Sequence, residues 1–233
     1  MDYLIKKTIN EDVWSIYLNQ DVDQQISSKN TARIQKPRTL KMIKNMKLNQ
    51  GTVTLLDIGC GIGSDIFSSE LKDLNQNIVY YGCDPFNKTK EDNLRSIISC
   101  SGGKSDIVTL NNVLNTIPEP EVWDNILNQA KDAVNEDSGV VMILIYEGEK
   151  NSKEKAFEKE SGEKVPLTPI KTRDGWQNRM KAEKYINNIS KTFPNNKLIR
   201  TSAGKVILAS VNKALDLNNV ISCTKKNKLK NKQ

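Results

Sequence analysis

Two carboxylates and a run of glycines stand at positions where they can hold a ligand that carries hydroxyl and amino groups. Asp57 lies near the end of a short apolar run, and Gly59, Gly61 and Gly63 follow it at alternate positions. Because glycine has no Cβ, it lets the backbone turn sharply and approach a ligand closely. Asp84 ends a second apolar run, a helix length further on. A carboxylate offers several acceptor sites and no donor, which suits the two hydroxyl groups of a ribose.

The spacing of the glycines separates this turn from two common phosphate-binding motifs. A dinucleotide-binding turn needs a glycine where this chain has Ser64, and a P-loop ends in Gly-Lys-Ser/Thr, which this turn lacks. What remains is acid-x-Gly-x-Gly-x-Gly between a strand and a helix, the entrance of a nucleotide-binding βαβ unit. A tight turn in some other α/β protein is the alternative, and the acid at position 84 argues against it.

Short apolar runs must position these groups, and they predict a mostly parallel α/β sheet with an antiparallel hairpin at its C-terminal end. The expected strands cover residues 53–58, 78–83, 106–110, 139–146, 197–201 and 205–211. Ligands bind at the carboxyl ends of parallel strands, so Asp57, Asp84 and the pair Asn111 and Asn112 should meet at one edge. Between residues 84 and 106 there is room for one helix and a turn, but hardly for a further strand.

This succession of motifs resembles class I S-adenosylmethionine-dependent methyltransferases, in particular small phage-encoded ones and those associated with DNA phosphorothioation. The motifs are Asp57-Ile-Gly-Cys-Gly-Ile-Gly, Gly82-Cys-Asp-Pro-Phe-Asn, Asn111-Asn-Val-Leu-Asn-Thr-Ile-Pro, Tyr146-Glu-Gly and Trp176-Gln-Asn-Arg. They cover residues 55–211. The resemblance implies a Rossmann-like methyltransferase sheet whose third strand is reduced or missing, and S-adenosylmethionine as the cofactor.

The resemblance also implies which residues hold that cofactor. The acid and glycine turn of the family bind its amino-acid end, and the acid after the second strand binds the ribose. The predicted cofactor residues are Asp57, Gly59, Gly61, Gly63, Asp84, Pro85, Asn112, Val113 and Arg33. Arg33, with Thr31, belongs to a basic N-terminal segment that either caps the pocket and reaches the methionyl carboxylate or an anionic substrate, or forms a solvated helix before the first strand.

Methyl transfer from a sulfonium is an in-line displacement, so holding nucleophile, methyl and sulfur in line supplies much of the acceleration. A base is needed only if the acceptor must lose a proton. The predicted catalytic residues are Tyr146, Glu147 and Asn111, with Asn111 or Asn112 orienting the acceptor; the alternative for Glu147 is a solvated loop acid. A helix is expected from Trp176 onward. Its first residues, Gln177, Asn178 and Arg179, either line the pocket or lie on the surface.

The composition of the chain limits which partners and cofactors we expect. The 233 residues carry a formal net charge of +7, which suits a polyanionic partner, although a Lys-rich genome would produce the same excess. The four cysteines lack metal-ligand pairing and there is no histidine, so we expect no metal site and no imidazole base. No stretch is apolar enough to span a bilayer, and no signal peptide is visible. We expect a cytoplasmic protein, and the sequence leaves its oligomeric state open.

We expect the acceptor to be a nucleic acid, DNA or RNA, or a nucleotide component. A small molecule, a protein side chain, or cofactor binding without turnover are the alternatives. The Asp/Asn/Ser-Pro-Pro-aromatic motif of amino-methylating DNA enzymes and the Pro-Cys of cytosine-C5 enzymes are both absent. The expected organisation is an N-terminal helical cap at 1–50, a methyltransferase domain at 51–213 with an exposed insertion at 149–175, and a disordered basic tail at 214–233.

Overall fold

A computed structural model describes residues 9–18, 39–46, 51–74, 77–117, 119–147, 170–172, 175–178, 180–201 and 204–220. Its helices are α1 (Glu11–Leu18), α2 (Thr39–Ile43), α3 (Ser64–Leu74), α4 (Lys90–Cys100), α5 (Pro120–Ala133), α6 (Ile186–Thr192) and α7 (Leu217–Val220). Its strands are β1 (Val53–Ile58), β2 (Ile78–Cys83), β3 (Ile107–Asn111), β4 (Val140–Leu144), β5 (Ile170–Thr172), β6 (Gly175–Gln177), β7 (Asn195–Thr201) and β8 (Gly204–Ser210). Short 3₁₀ turns lie at Leu114–Thr116 and Ala182–Tyr185.

Six strands form one sheet in the order β2-β1-β3-β4-β8-β7, and β5 and β6 form a separate hairpin. The first four strands of the sheet are parallel, whereas β8 runs antiparallel to β4 and β7 antiparallel to β8. In this register Asp57 lies beside Gly82 on one side and Thr109 on the other. The predicted mostly parallel sheet with a C-terminal antiparallel hairpin is therefore confirmed.

The sheet is covered on both faces, because successive residues of each strand point to opposite sides. On one face Leu56 and Ile58 of β1 pack in a core with buried side chains of α1, α4, α5 and α6. On the other face Val53 and Leu55 pack with α2, α3 and α7. This burial on both faces explains why β4 is apolar at every position.

The expectation that the family's third strand is reduced or missing is confirmed, since α4 and β3 are the helix and strand that the chain forms between Asp84 and Asn111. The chain therefore moves from β1 to β2 through α3, then returns past β1 to β3 through α4. Connections between parallel strands are right-handed, so this reversal places α4 on the face opposite α3. The two separate cores show this arrangement, with Phe67 of α3 in one and Ile97 of α4 in the other.

Two predictions about the chain's later part were wrong. Trp176 lies in β6 and not in a helix; the helical region begins at Ala182 and continues into α6. The tail was expected from residue 214, but α7 continues the ordered chain and buries Leu217. Of the expected insertion at 149–175, residues 170–172 and 175 are described and belong to the β5–β6 hairpin. The other residues of the insertion, and 221–233, lie outside the described chain.

Helices α1 and α2 both belong to the segment that was expected to cap the domain. Helix α1 is attached to α5 at two points: the indole Nε1 of Trp14 donates to Asp132 Oδ2 at 2.8 Å, and Gln129 Nε2 donates to the carbonyl of Val13 at 3.1 Å. The segment's Thr31 and Arg33 lie outside the described residues, so their predicted contact with the cofactor stays a prediction.

No helix in the described ranges has the length and apolar character needed to cross a membrane. The same ranges hold no group of three or more cysteine, aspartate or glutamate side chains arranged to bind a metal ion.

Candidate functional site

The glycine turn joins the carboxyl ends of β1 and β2. The backbone N–H groups of Gly59 and Cys60 both donate to the carbonyl of Cys83, at 2.8 and 3.1 Å. Gly59 and Gly61 have φ angles of 70° and 64°, a conformation that residues with a Cβ adopt rarely. A Cβ on Gly59 would also lie 2.7 Å from Cγ2 of Val113. Backbone conformation and close packing therefore both require glycine at position 59.

Asp84 is held by the glycine turn and by its own following turn. Its Oδ1 accepts from the N–H of Phe86 and from both the N–H and the Nδ2 of Asn87, at 2.8–2.9 Å. Its Oδ2 accepts from the N–H of Gly61 at 2.8 Å. Oδ1 thus accepts three bonds inside the protein and Oδ2 accepts one, so Oδ2 is the oxygen with capacity left for a ligand hydroxyl. Pro85 follows directly and is half-buried.

Asn93 of α4 fixes the backbone of Asp84. Its Oδ1 accepts from the Asp84 N–H at 2.8 Å, and its Nδ2 donates to the Asp84 carbonyl at 3.0 Å. This paired contact ends β2 and aims the carboxylate at the glycine turn. The structure thus brings together the two carboxylate motifs that the sequence placed at neighbouring strand ends.

Asp57 is 2% exposed and accepts hydrogen bonds from neutral groups. Thr109 Oγ1 and Asn111 Nδ2 donate to its Oδ1 at 2.6 and 2.9 Å, and the hydroxyl of Tyr80 donates to its Oδ2 at 3.3 Å. Burial raises the pKa of Asp57 to about 7, although these hydrogen bonds lower the pKa in part. The charge on this carboxylate therefore changes near neutral pH.

Asn111 has both ends of its carboxamide engaged inside the protein. Its Nδ2 bonds Asp57, and its Oδ1 accepts from Thr39 Oγ1 at 2.7 Å. These contacts make Asn111 a support for Asp57, which disfavours the predicted role of orienting the acceptor. Sequence reasoning missed Thr39 and Thr109. The available signal for Thr109 was a hydroxyl inside an apolar strand, two positions before Asn111 and so on the same face of the sheet.

Asn112 is positioned differently. It has a φ angle of 59°, uncommon outside glycine, and its backbone N–H donates to the Leu144 carbonyl at 3.0 Å. Its Oδ1 is shielded from solvent and has no hydrogen-bond partner, whereas the neighbouring Val113 packs against Gly59. A buried acceptor without a donor is unfavourable, so Oδ1 of Asn112 is a polar atom that the fold leaves unsatisfied next to the glycine turn.

Glu147 makes contacts that hold the fold together. Its Oε1 accepts from the N–H of Ala182 at 2.7 Å and from Lys205 Nζ at 2.8 Å, and the same Nζ pairs with Glu183 at 3.0 Å. These bonds join the segment after β4 to the 3₁₀ turn at Ala182 and to β8. They disfavour the predicted role of Glu147 as a base, which stays a prediction. Tyr146, the other residue predicted there, is 39% exposed at the same strand end.

Asn178 does not lie on the surface. It is buried, its N–H donates to the Asn115 carbonyl at 2.7 Å, and its Nδ2 donates to the Ile117 carbonyl at 2.6 Å. Asn178 therefore fastens β6 to the turn that follows β3. The side chain of Gln177 and the whole of Arg179 lie outside the described part of the chain.

A family model described as "Methyltransferase domain" matches residues 23–192. The chain belongs to this methyltransferase family. Its membership confirms the class predicted from the first two motifs, with S-adenosylmethionine as the cofactor of that class. No curated protein matches this methyltransferase.

Several solved structures are similar to this methyltransferase. Phosphoethanolamine N-methyltransferase 2 of Haemonchus contortus, in complex with phosphomonomethylethanolamine and S-adenosylhomocysteine, is 15% identical with a TM-score of 0.44 over 69% of this chain and 38% of its own. PigF with S-adenosylhomocysteine is 17% identical, with a TM-score of 0.48; the match covers 73% of this chain and 54% of PigF. An O-methyltransferase family protein from Burkholderia thailandensis is 11% identical, with a TM-score of 0.48; the match covers 76% of this chain and 56% of that protein. This methyltransferase spans between 38% and 56% of the length of these three structures.

Proposed function

We propose that this methyltransferase binds S-adenosylmethionine across the carboxyl ends of β1 and β2 and transfers its methyl group to a nucleic acid or nucleotide component. One observation carries the cofactor part: the Gly61 N–H bonds Asp84 Oδ2, so the glycine turn and the ribose-binding acid form one unit with an acceptor position left over. The ribose hydroxyls bond Asp84, and the methionine end lies over the glycine turn near Asp57.

The cofactor supplies a methyl group already activated on a sulfonium. The protein's own contribution is then to orient the acceptor and exclude water. The unpartnered Oδ1 of Asn112 is shielded from solvent, and a rotation of this side chain on binding would let it accept a hydrogen bond from an N–H or O–H of the acceptor, beside the glycine turn. Tyr146 stands at the end of β4 as the remaining candidate for contact with the acceptor.

Charge supports a polyanionic acceptor. The net charge is +7, and α2, which contacts the helix α3 that follows the glycine turn, exposes Lys41, with Lys44 exposed just after it. The resemblance to phage-encoded and phosphorothioation-associated methyltransferases supports the same class of acceptor, and a cytoplasmic location is part of this proposal. Lysines neutralise phosphates and release counterions, so binding should weaken steeply with salt.

The test combines methyl transfer with binding. Radiolabelled S-adenosylmethionine is incubated with duplex DNA, single-stranded DNA, RNA and free nucleosides, and label is counted in each. We expect label in a polymer or nucleoside fraction, and a double variant Lys41→Gln/Lys44→Gln that binds the polymer more weakly with a smaller salt slope. The acceptor proposal would be overturned if nucleic-acid binding were negligible, or too weak to respond to salt, and if no label appeared in any of these fractions. Neither result would contradict the cofactor proposal.

A second candidate acceptor is an apolar small molecule. Ile62, inside the glycine turn, and Ile66, in the first turn of α3, are 41% and 48% exposed. Exposed large aliphatic side chains beside a cofactor turn suit a hydrophobic acceptor. Ile62→Ser/Ile66→Ser distinguishes the two candidates, because it should weaken methylation of an apolar acceptor and leave nucleic-acid binding unchanged.

A further inference from the structure

A line of side-chain hydrogen bonds connects the N-terminal segment to the first carboxylate motif. Thr39, the first residue of α2, is fully buried, and its Oγ1 donates to Asn111 Oδ1 at 2.7 Å. Asn111 Nδ2 in turn donates to Asp57 Oδ1 at 2.9 Å. The line passes from a segment outside the sheet, through the end of β3, to the end of β1.

The direction of these bonds matters because a carboxamide has one donating and one accepting end. A hydroxyl that donates to Oδ1 leaves the NH₂ group facing Asp57. A charged Asp57 only accepts and so favours the NH₂ end of Asn111 by itself, and the Thr39 hydroxyl adds a bond to the other end that restrains the carboxamide in this position. Within the described chain, Thr39 is the side chain that holds Oδ1 of Asn111 on the side away from Asp57.

The surroundings of Asp57 make it sensitive to this orientation. The titratable groups that influence it are Tyr80 of β2, Asp84 after β2, and Cys60 in the glycine turn, none of which is a cation. No ion pair within the described ranges includes Asp57. The charged carboxylate therefore depends on neutral donors, and loss of one donor should matter.

We propose that Thr39 is a positioning residue for the cofactor: its hydroxyl orients the Asn111 carboxamide and thereby holds the Asp57 carboxylate in place at the methionine end of S-adenosylmethionine. This inference rests on the proposed role of Asp57. It gives the N-terminal segment a function in cofactor binding that does not require Arg33 or Thr31 to touch the ligand.

The test uses calorimetry of the full chain with S-adenosylmethionine, which needs no acceptor. Thr39→Val keeps the shape and removes the hydroxyl, whereas Thr39→Ser keeps the hydroxyl. We expect Thr39→Val to weaken binding about five-fold, the worth of one neutral hydrogen bond, and Thr39→Ser to bind within about two-fold of the unaltered chain. Ser210→Ala is the matched control, since Ser210 is a buried hydroxyl that donates to the Gly139 carbonyl at 3.0 Å, at the opposite edge of the sheet.

Two further measurements separate positioning from a general effect on folding. Affinity should rise with pH as Asp57 ionises, and Thr39→Val should move the midpoint of that rise to higher pH. The double variant Thr39→Val/Asp57→Asn should bind no more weakly than Asp57→Asn alone, because Thr39 acts through Asp57. If Thr39→Val does not fold, as judged by circular dichroism, Thr39→Ala replaces it in each comparison.

Each result has one meaning. Unchanged affinity of Thr39→Val beside a weakened Asp57→Asn would overturn the role of Thr39 and leave the proposed cofactor site standing. Unchanged affinity of Asp57→Asn would instead overturn the proposed role of Asp57, and the inference with it. Equal weakening by Ser210→Ala, or an unmoved pH midpoint, would show that Thr39 acts only on stability.

Discussion

Replacing Asp57 by asparagine should make the protein more stable at alkaline pH while it weakens the proposed cofactor site. The buried carboxylate has a pKa raised from 3.8 to about 7 by burial. In the folded state it therefore binds a proton that the unfolded chain has already lost. The stability that this proton contributes is fully present below about pH 4 and is lost as the pH rises towards 7.

The magnitude follows from the pKa difference. Each pH unit between the two pKa values corresponds to about 1.4 kcal/mol, so the full cost of the buried charge is about 4 kcal/mol. Between about pH 5 and pH 8 the unaltered chain should lose about 2 to 3 kcal/mol relative to Asp57→Asn. All other titrating groups are common to both proteins and cancel in this difference.

Asparagine suits the site because the stronger bonds converge on one oxygen. Thr109 and Asn111 both donate to Oδ1, which the carboxamide oxygen can replace. The new NH₂ group would face the hydroxyl of Tyr80, which can accept in place of donating. The substitution should therefore leave the fold intact and remove the buried charge.

The assay is urea unfolding, followed by circular dichroism, of both proteins at several pH values. We expect the free energies of unfolding to be similar at about pH 4 and to diverge progressively above it, with the variant more stable. A difference that does not change with pH, or one that grows in favour of aspartate, would refute the reasoning that Asp57 titrates near neutrality.

Three other predictions follow from the site. Gly59→Ala should lower the free energy of unfolding by about 1 to 3 kcal/mol and abolish cofactor binding, because Gly59 has a φ of 70° and its new Cβ would meet Val113. The control is Gly51→Ala, which should do neither, since nothing lies within 4 Å of its Cβ. Urea unfolding measures the stability of both variants, and calorimetry measures their cofactor binding. Glu147→Gln should lower stability by about 1 kcal/mol through the weakened Lys205 contact while methyl transfer continues, and loss of transfer at unchanged stability would restore Glu147 as a base. Burial raises the pKa of the Cys60, Cys83 and Cys100 thiols, that of Cys100 to about 11. These three thiols should therefore react with a thiol reagent at neutral pH only when urea unfolds the chain. Fast labelling of any of them in the folded protein, located by peptide mass spectrometry, would contradict this burial.

Local pattern predicted the elements and both carboxylate motifs well. Strand lengths, the glycine spacing and the acid after β2 are properties of short segments, and the structure places Asp57, Asp84 and the glycines at one edge as expected. The short connection between residues 84 and 106 likewise indicated that a strand was missing, because chain length limits what can fit there. Such inferences need no knowledge of distant partners.

The partners of the polar side chains could not be read in the same way. Whether Glu147 is a free acid or a salt-bridge partner depends on Lys205, 58 positions away, and whether Asn111 faces a ligand or Asp57 depends on Thr39. Trp176 lies in a strand, as the strand preference of aromatic residues favours, but its pairing partner Lys171 stands in a separate segment that the local helical pattern did not include.

The sequence by itself determined the fold class, the cofactor turn and the two acids, since sterics at glycine and the apolar pattern of buried strands act over a few residues. The tertiary structure alone decided which of the polar residues remain available to a ligand. Folding brings distant donors and acceptors together in a buried edge, and a group whose hydrogen-bonding capacity is used up inside the protein is no longer available to a ligand.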